Sequence, residues 1–167
     1  MRYRLDVIAP SVVEVVQSAG GWLFDRAMAG WDVTVLVDGN DYDPLPLQIL
    51  GAEVLDLETA VHMDSRPRPD ALAVAADVYG SNSRVQEGVR LALDGGRTEV
   101  TLWGQAWPAE LDRTGSVEHR LSVAARAFKA RALAAAALPV DSISAVELFR
   151  SGSHLCCPVA ADLVPAS

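Results

Sequence analysis

Residues 31–37 read Trp-Asp-Val-Thr-Val-Leu-Val, a nearly unbroken β-branched and apolar run set between Gly30 and the polar turn Asp38–Asp43. A half-exposed strand alternates apolar with polar residues, whereas a strand covered on both faces of a parallel sheet reads as a continuous apolar run. The segment therefore predicts a central strand of a layered α/β fold. Upstream, Arg4–Ala9 (RLDVIA) is a second strand candidate, stopped at Pro10, and the Ser11 hydroxyl can cap a helix. Between Val12 and Ala29 the polar positions Glu14, Gln17, Ser18, Gly21 and Asp25 recur every three or four residues. That spacing turns Val12, Val16, Ala19, Leu23 and Ala27 inward. Gly20 and Gly21 each weaken a helix by about 1 kcal/mol relative to Ala, so the stretch reads as one helix or as a loop followed by a shorter one.

Downstream the alternation continues. Leu45–Leu50 is a short helix candidate closed by Gly51, and Glu53–Leu57 a strand. His62–Pro69, with two prolines, is a surface connection. Asp70–Ala76 is another buried strand; Asn82 or Ser83 caps a helix that runs to Leu93 and ends at Asp94-Gly95-Gly96; Thr98–Trp103 is the next strand. Trp103–Pro108 forms a tryptophan-bearing turn, Val117–Leu138 a long Ala- and Arg-rich helix, and Ile143–Phe149 a last strand before a tail whose prolines and small residues suggest fraying. The expected architecture is α/β: a three-layer αβα domain over residues 1–150 with a mainly parallel, RecA-like or Rossmann-like sheet of about five to six strands, followed by a tail at 151–167.

Composition narrows the functional classes. The 167 residues suffice for one domain, and 50% apolar with 22% charged residues is the balance of a folded protein. Fourteen basic against twenty-two acidic residues leave a net charge of −8, a field that repels phosphate backbones and anionic membranes. Duplex DNA and membranes are therefore not expected partners, although Arg113, Arg120, Arg126, Lys129 and Arg131 form a local basic cluster. The absence of a signal-peptide layout, a long apolar span and a disulfide framework predicts a cytoplasmic protein.

In open parallel sheets ligands collect at the carboxyl ends of the strands, and candidate residues were sought there. Asp38 lies just past the second strand, where an acid can bond ribose hydroxyls; Asp38, Asp41, Asp43 and Asp77 can converge above the sheet to hold a divalent cation through oxygen ligands, and a solvated turn explains the same acids. Tyr79–Ser83 places Ser81, Asn82 and Ser83 at a helix start able to receive an anion, and a plain helix cap explains the same residues. Asp38, Asp41, Asp77, Ser81, Asn82 and Ser83 are thus the candidate ligand residues. No nucleophile lies in a recognisable motif, so no catalytic residue is assigned. His154, Cys156 and Cys157 make a poor closed metal site, and neither a metal nor a cofactor is expected. Trp103 and Trp107 are candidate anchors for a protein partner, with burial in the core the competing reading; self-association is a further possibility.

From about Ala19 to Phe149 the order of segments resembles a RecA-like ATPase core. DVTVLVDGNDYDP is similar to that family's strand and acidic turn, LQILGAEVLDL to its helix, Leu-Gly and strand, and VQEGVRLALDGGRTEVTLWG to the segment ending in its magnesium-associated acid. The phosphate-loop motif is missing, and Gly104 and Gln105 stand where the second acid belongs. RecA-like chains without these motifs resemble the bacterial SulA and ImuA group. That resemblance implies a non-catalytic pseudo-ATPase domain acting through protein–protein interaction in the DNA-damage response or cell division. GGWLFDRAMAGWDVTVLV also resembles the start of a GT-B glycosyltransferase, which implies a small-molecule or nucleotide-sugar-binding domain as the alternative.

Overall fold

A computed structural model of the chain describes residues 2–39, 41–63, 65–105, 115–151 and 162–166. The run at 31–37 is strand β2 (Asp32–Val37), paired in parallel with β1 (Arg4–Ala9) from Arg4↔Asp32 to Ala9↔Val37. Between them runs α1 (Val12–Met28), whose first turn is capped by the Ser11 hydroxyl accepting from the Glu14 amide at 3.1 Å. Then follow α2 (Leu45–Ile49), β3 (Glu53–Asp56), α3 (Leu57–Val61), β4 (Ala71–Ala75), α4 (Ala76–Ser81), α5 (Ser83–Gly95) and β5 (Glu99–Trp103). The chain continues through β6 (Gly115–Arg120), α6 (Val123–Ala135), β7 (Val146–Ser151) and β8 (Val164–Pro165).

The α/β class expected from the sequence holds, but the sheet is larger and of mixed direction. Its eight strands run in the order β3-β2-β1-β4-β5-β7-β6-β8. The first five are mutually parallel, in the doubly wound order 3-2-1-4-5, and β7, β6 and β8 extend the sheet antiparallel. The single helix expected over Val117–Leu138 is in fact strand β6 followed by α6, which Ser122 caps through a 3.0 Å bond from the Ala125 amide. Residues 115–120 carry no strong helical stripe, and the ladder from Gly115↔Ser151 to Arg120↔Val146 decides their conformation. Residues 162–166 are not a frayed end: Val164 and Pro165 pair with β6. α1, α2 and α6 pack together on one face, and right-handed crossovers place α3, α4 and α5 on the other.

Two buried polar clusters fix α1. Gly20 and Gly21 lie within a continuous helix, and a Cβ on Gly21 would stand 2.3 Å from Leu121, so the glycine permits close packing rather than a loop. The amides of Gly21 and Trp22 donate to the Glu147 carboxylate at 2.9 and 2.7 Å, and Lys129 Nζ bridges Glu147 Oε2 (2.6 Å) and the Gln17 carbonyl (2.7 Å). One turn later the Arg26 guanidinium lies 4.8 and 4.3 Å from the rings of Trp22 and Trp31 and pairs with Glu99 and Asp162. Desolvation opposes its charge, and the Asp162 and Glu99 contacts more than offset this, so its pKa is raised. On the opposite face of the sheet Asp6 of β1 binds Arg66, which ties down the connection His62–Pro69.

Candidate functional site at the carboxyl edge of the sheet

Strand β1 leads outward in one direction to β2 and β3, whereas β4 and β5 lie on its other side. The carboxyl ends of β1 and β4 therefore form the topological switch point, the crevice where ligands of open α/β sheets bind. β1 delivers Pro10, Ser11 and the first turn of α1 to this crevice; β4 delivers Ala76 and Asp77; β5, next to β4, delivers Trp103 and Gly104.

Glu14 is the titratable group that this arrangement perturbs. Ser11-Val12-Val13-Glu14 has capping-box spacing, but only half the box forms: the Ser11 hydroxyl takes the Glu14 amide, and the Glu14 carboxyl makes no return bond to Ser11. That carboxyl is half-buried instead, and its pKa is raised first by desolvation and then by the charge of Asp77, with the Trp103 indole N–H acting in the opposite direction. Trp103 is 3% exposed, and its Nε1 has no hydrogen-bond partner among the described residues. The indole thus lies near enough to stabilise the carboxylate but outside ordinary hydrogen-bond geometry. Gly104 holds the end of β5 against α4: its φ is +107°, and a Cβ there would stand 2.8 Å from that of Ala76.

Three clefts open along this edge. One of about 550 Å³ has a floor of Val12, Val37 and Pro46 and a rim carrying Asp38, Asp41 and Tyr42. Another of about 320 Å³ runs from Asp38 past Leu57 to Ser81, Asn82 and Ser83. A cleft of about 620 Å³ lies beside Glu14, Gln17, Ser18 and Trp103. A larger cleft, about 760 Å³, opens elsewhere, against the amino-terminal halves of β1 and β2 and away from the switch point.

The structure thus distributes the candidates of the sequence reading along one edge without gathering them into one site. Asp38 and Asp41 are exposed on the rim, and Asp77 is exposed opposite Glu14. Asn82 accepts from the Arg84 and Val85 amides at 3.0 and 3.2 Å, and the Ser81 hydroxyl donates to the Asp77 carbonyl at 3.0 Å, so both serve helix ends. Trp103 is buried within the free chain instead of presenting an exposed anchor. Trp107, His154, Cys156, Cys157 and Arg113 lie outside the described residues. Of the basic cluster, Lys129 is buried against Glu147. Among the described residues no three His, Cys, Asp or Glu side chains converge to hold a metal ion, and no helix is long and apolar enough to cross a membrane. His119 is bound through Nε2 to Asp25 at 2.7 Å, and its Nδ1 lies 2.9 Å from the Asp162 carbonyl. The residue missed by the sequence reading is Glu14; its signal was an acid three residues after a cap at the end of the first strand.

No family model and no curated protein matches the chain. Solved structures do. The A40926 pseudoaglycone deacetylase Dbv21 is similar over 90% of this chain and 97% of its own, at 17% identity and a TM-score of 0.60. A deacetylase–teicoplanin complex from the teicoplanin biosynthesis pathway is similar over 89% and 97%, at 14% identity and 0.60. GalB, the 4-carboxy-2-hydroxymuconate hydratase of Pseudomonas putida KT2440, is similar over 95% and 98%, at 12% identity and 0.59. These likenesses correct the RecA-like resemblance and, with it, the SulA and ImuA assignment, the pseudo-ATPase reading and the non-catalytic partner-binding function inferred from them. The strand, acidic turn and helix punctuation behind that resemblance is common to doubly wound folds, and here it belongs to the fold of these deacetylases and the hydratase.

Proposed function

We propose that the chain is an enzyme acting on a small molecule held at the carboxyl edge of the sheet, with Glu14 as its acid–base group. The observation that carries this reading is the position of Glu14: at the switch point, half-buried, with a pKa raised by desolvation and by Asp77. A carboxyl whose pKa moves toward working pH is suited to take up and return a proton, a contribution of about 10²–10⁴-fold to rate. The fold supports the same reading, since it is shared by proteins described as deacetylases and a hydratase. Both reactions move water, and both use a group that takes a proton from water and delivers one to the departing or receiving atom. In acyl hydrolysis Glu14 takes a proton from water as the oxygen attacks the carbonyl carbon, and returns it to the leaving amine as the C–N bond breaks.

The test is turnover of N-acetylated amines and of α,β-unsaturated carboxylic acids, followed by proton NMR, for the wild type and Glu14→Gln. Activity on either class, reduced about 10²- to 10⁴-fold by the substitution, is the expected result. No turnover, together with a Glu14 carboxyl that titrates at the ordinary value in carbon-13 NMR, overturns the proposal.

A further inference from the structure

The Trp103 indole carries a buried hydrogen-bond donor for which the described residues supply no acceptor in bonding geometry. Such donors are rare, since leaving one unpaired costs about 1–3 kcal/mol. Trp103 lies on the same face of β5 as Glu99, which reaches Arg26 of α1, so the indole belongs to the side covered by α1 and α6. It lines the same cleft as Glu14, and its N–H and the Glu14 carboxyl influence one another without closing a direct bond. Leu133, Pro139 and Ile143 supply an apolar wall to that cleft.

We propose that this cleft binds an uncharged ligand oxygen, a carbonyl or hydroxyl, between the Trp103 indole N–H and the Glu14 carboxyl, with a short apolar group against Leu133, Pro139 and Ile143. This deepens the acid–base reading and rests on it: Trp103 becomes the group that orients the reacting oxygen toward Glu14. The charge of the cleft selects a neutral ligand. Lys129 and Glu147 line it but neutralise each other in a 2.6 Å pair. An anion there meets Glu14 and, beyond it, Asp77. A simple alkylammonium ion offers no acceptor to the indole.

The experiment titrates nitrogen-15-labelled protein with propanamide, with propanoate and propylammonium as charged counterparts, and follows the indole N–H resonances. Each tryptophan gives one such signal, and loss of one peak in Trp103→Phe assigns it. A saturable shift of the Trp103 resonance with propanamide is expected, weakened about 2- to 10-fold in Trp103→Phe when binding is read from ligand signals, with neither ion producing it. If Trp103→Phe does not fold, selective labelling with Trp103→Tyr or the response of the wild-type resonance alone decides the matter. No saturable shift with propanamide, or an equal one with propanoate, overturns the inference. Glu14 titration in the same samples separates the failures: a raised Glu14 with a silent Trp103 removes this inference alone, whereas an ordinary Glu14 removes the acid–base reading beneath it.

Discussion

Replacing Glu147 tests whether the Lys129–Glu147 pair, which joins α6 and β7, acts as one unit against helix α1. Both side chains are buried, at 4% and 5% residue exposure, and the carboxylate meets three donors: the Gly21 amide at 2.9 Å, the Trp22 amide at 2.7 Å and Lys129 at 2.6 Å. Removing one member of a buried ion pair costs about 3–5 kcal/mol because its partner's charge stays desolvated and unpaired. Glu147→Gln is expected near the top of that range, since Lys129 then meets only neutral acceptors, the Gln17 carbonyl at 2.7 Å and the introduced amide oxygen. Lys129→Met is expected near the bottom, since the carboxylate keeps two backbone donors. In the double variant Lys129→Met/Glu147→Gln no charge is left, and the introduced amide oxygen still accepts from the backbone amides of α1. The double variant is therefore expected to cost about 1–3 kcal/mol, less than Glu147→Gln alone and far below the sum of the single costs, a coupling of about 5–7 kcal/mol. Urea unfolding followed by circular dichroism measures all three, against a total stability of about 5–15 kcal/mol for a domain of this kind. Costs that add to within about 0.5 kcal/mol would refute the reasoning, because independent sites behave that way.

Gly21→Ala is expected to destabilise by about 1–3 kcal/mol, because its Cβ would stand 2.3 Å from Leu121; pairing it with Leu121→Ala should recover part of the loss in thermal unfolding. Asp162→Asn should cost about 1–3 kcal/mol at neutral pH, since Asp162 accepts from Arg26 at 2.6 and 2.8 Å and from Trp22 Nε1 at 3.0 Å. The pH dependence follows with opposite signs in two groups. Desolvation opposes the charge of Asp162, but Arg26 outweighs it and lowers the pKa, so its contribution is present above the unfolded value and is lost as pH falls through the folded one. Asp6 and Glu99 are raised by desolvation despite Arg66 and Arg26, so their contribution is present below the unfolded values and lost as pH rises through the folded ones. Urea midpoints measured from mildly acidic pH downward should show the gap between wild type and Asp162→Asn closing; a gap that stays constant contradicts the assignment. Asp38→Asn and Asp41→Asn, both exposed, should change stability by less than about 0.5 kcal/mol in the same assay.

The parallel half of the sheet was legible because each of its strands carries its own signal. Trp31–Val37 is apolar on both faces since β1 and β3 flank it and helices cover it, and Ser11 and Asn82 cap the helices as their side-chain chemistry requires. Of the antiparallel half, β7 was legible as the candidate Ile143–Phe149 and β6 was not, for the opposite reason. Gly115–Arg120 contains Ser116, Glu118, His119 and Arg120, a pattern without a strong strand signature, and its conformation follows from partners: β7 on one side and β8 on the other. α3 and α4 escaped notice because helices of five and six residues, Leu57–Val61 and Ala76–Ser81, are too short to show a helical period.

Glu14 shows why the site was harder still. In the sequence it is one of five polar positions on an amphipathic helix and the fourth member of a capping box, and both facts explain it fully. What distinguishes it is Asp77 at the end of β4 and Trp103 at the end of β5, and neither lies near it until the strand order 3-2-1-4-5 is known. The visible acids, Asp38 and Asp41, have the reverse character: conspicuous in sequence and, in the structure, exposed on a rim. A side chain acquires reactive character from desolvation and from charges the fold brings to it, and both act on Glu14. Asp77→Asn therefore separates the two causes: it should lower the Glu14 pKa part of the way toward the ordinary value and leave the remainder to burial, the larger cause. A carbon-13 titration of Glu14 in that variant that returns all the way to the ordinary value would make Asp77, not burial, the origin of the perturbation.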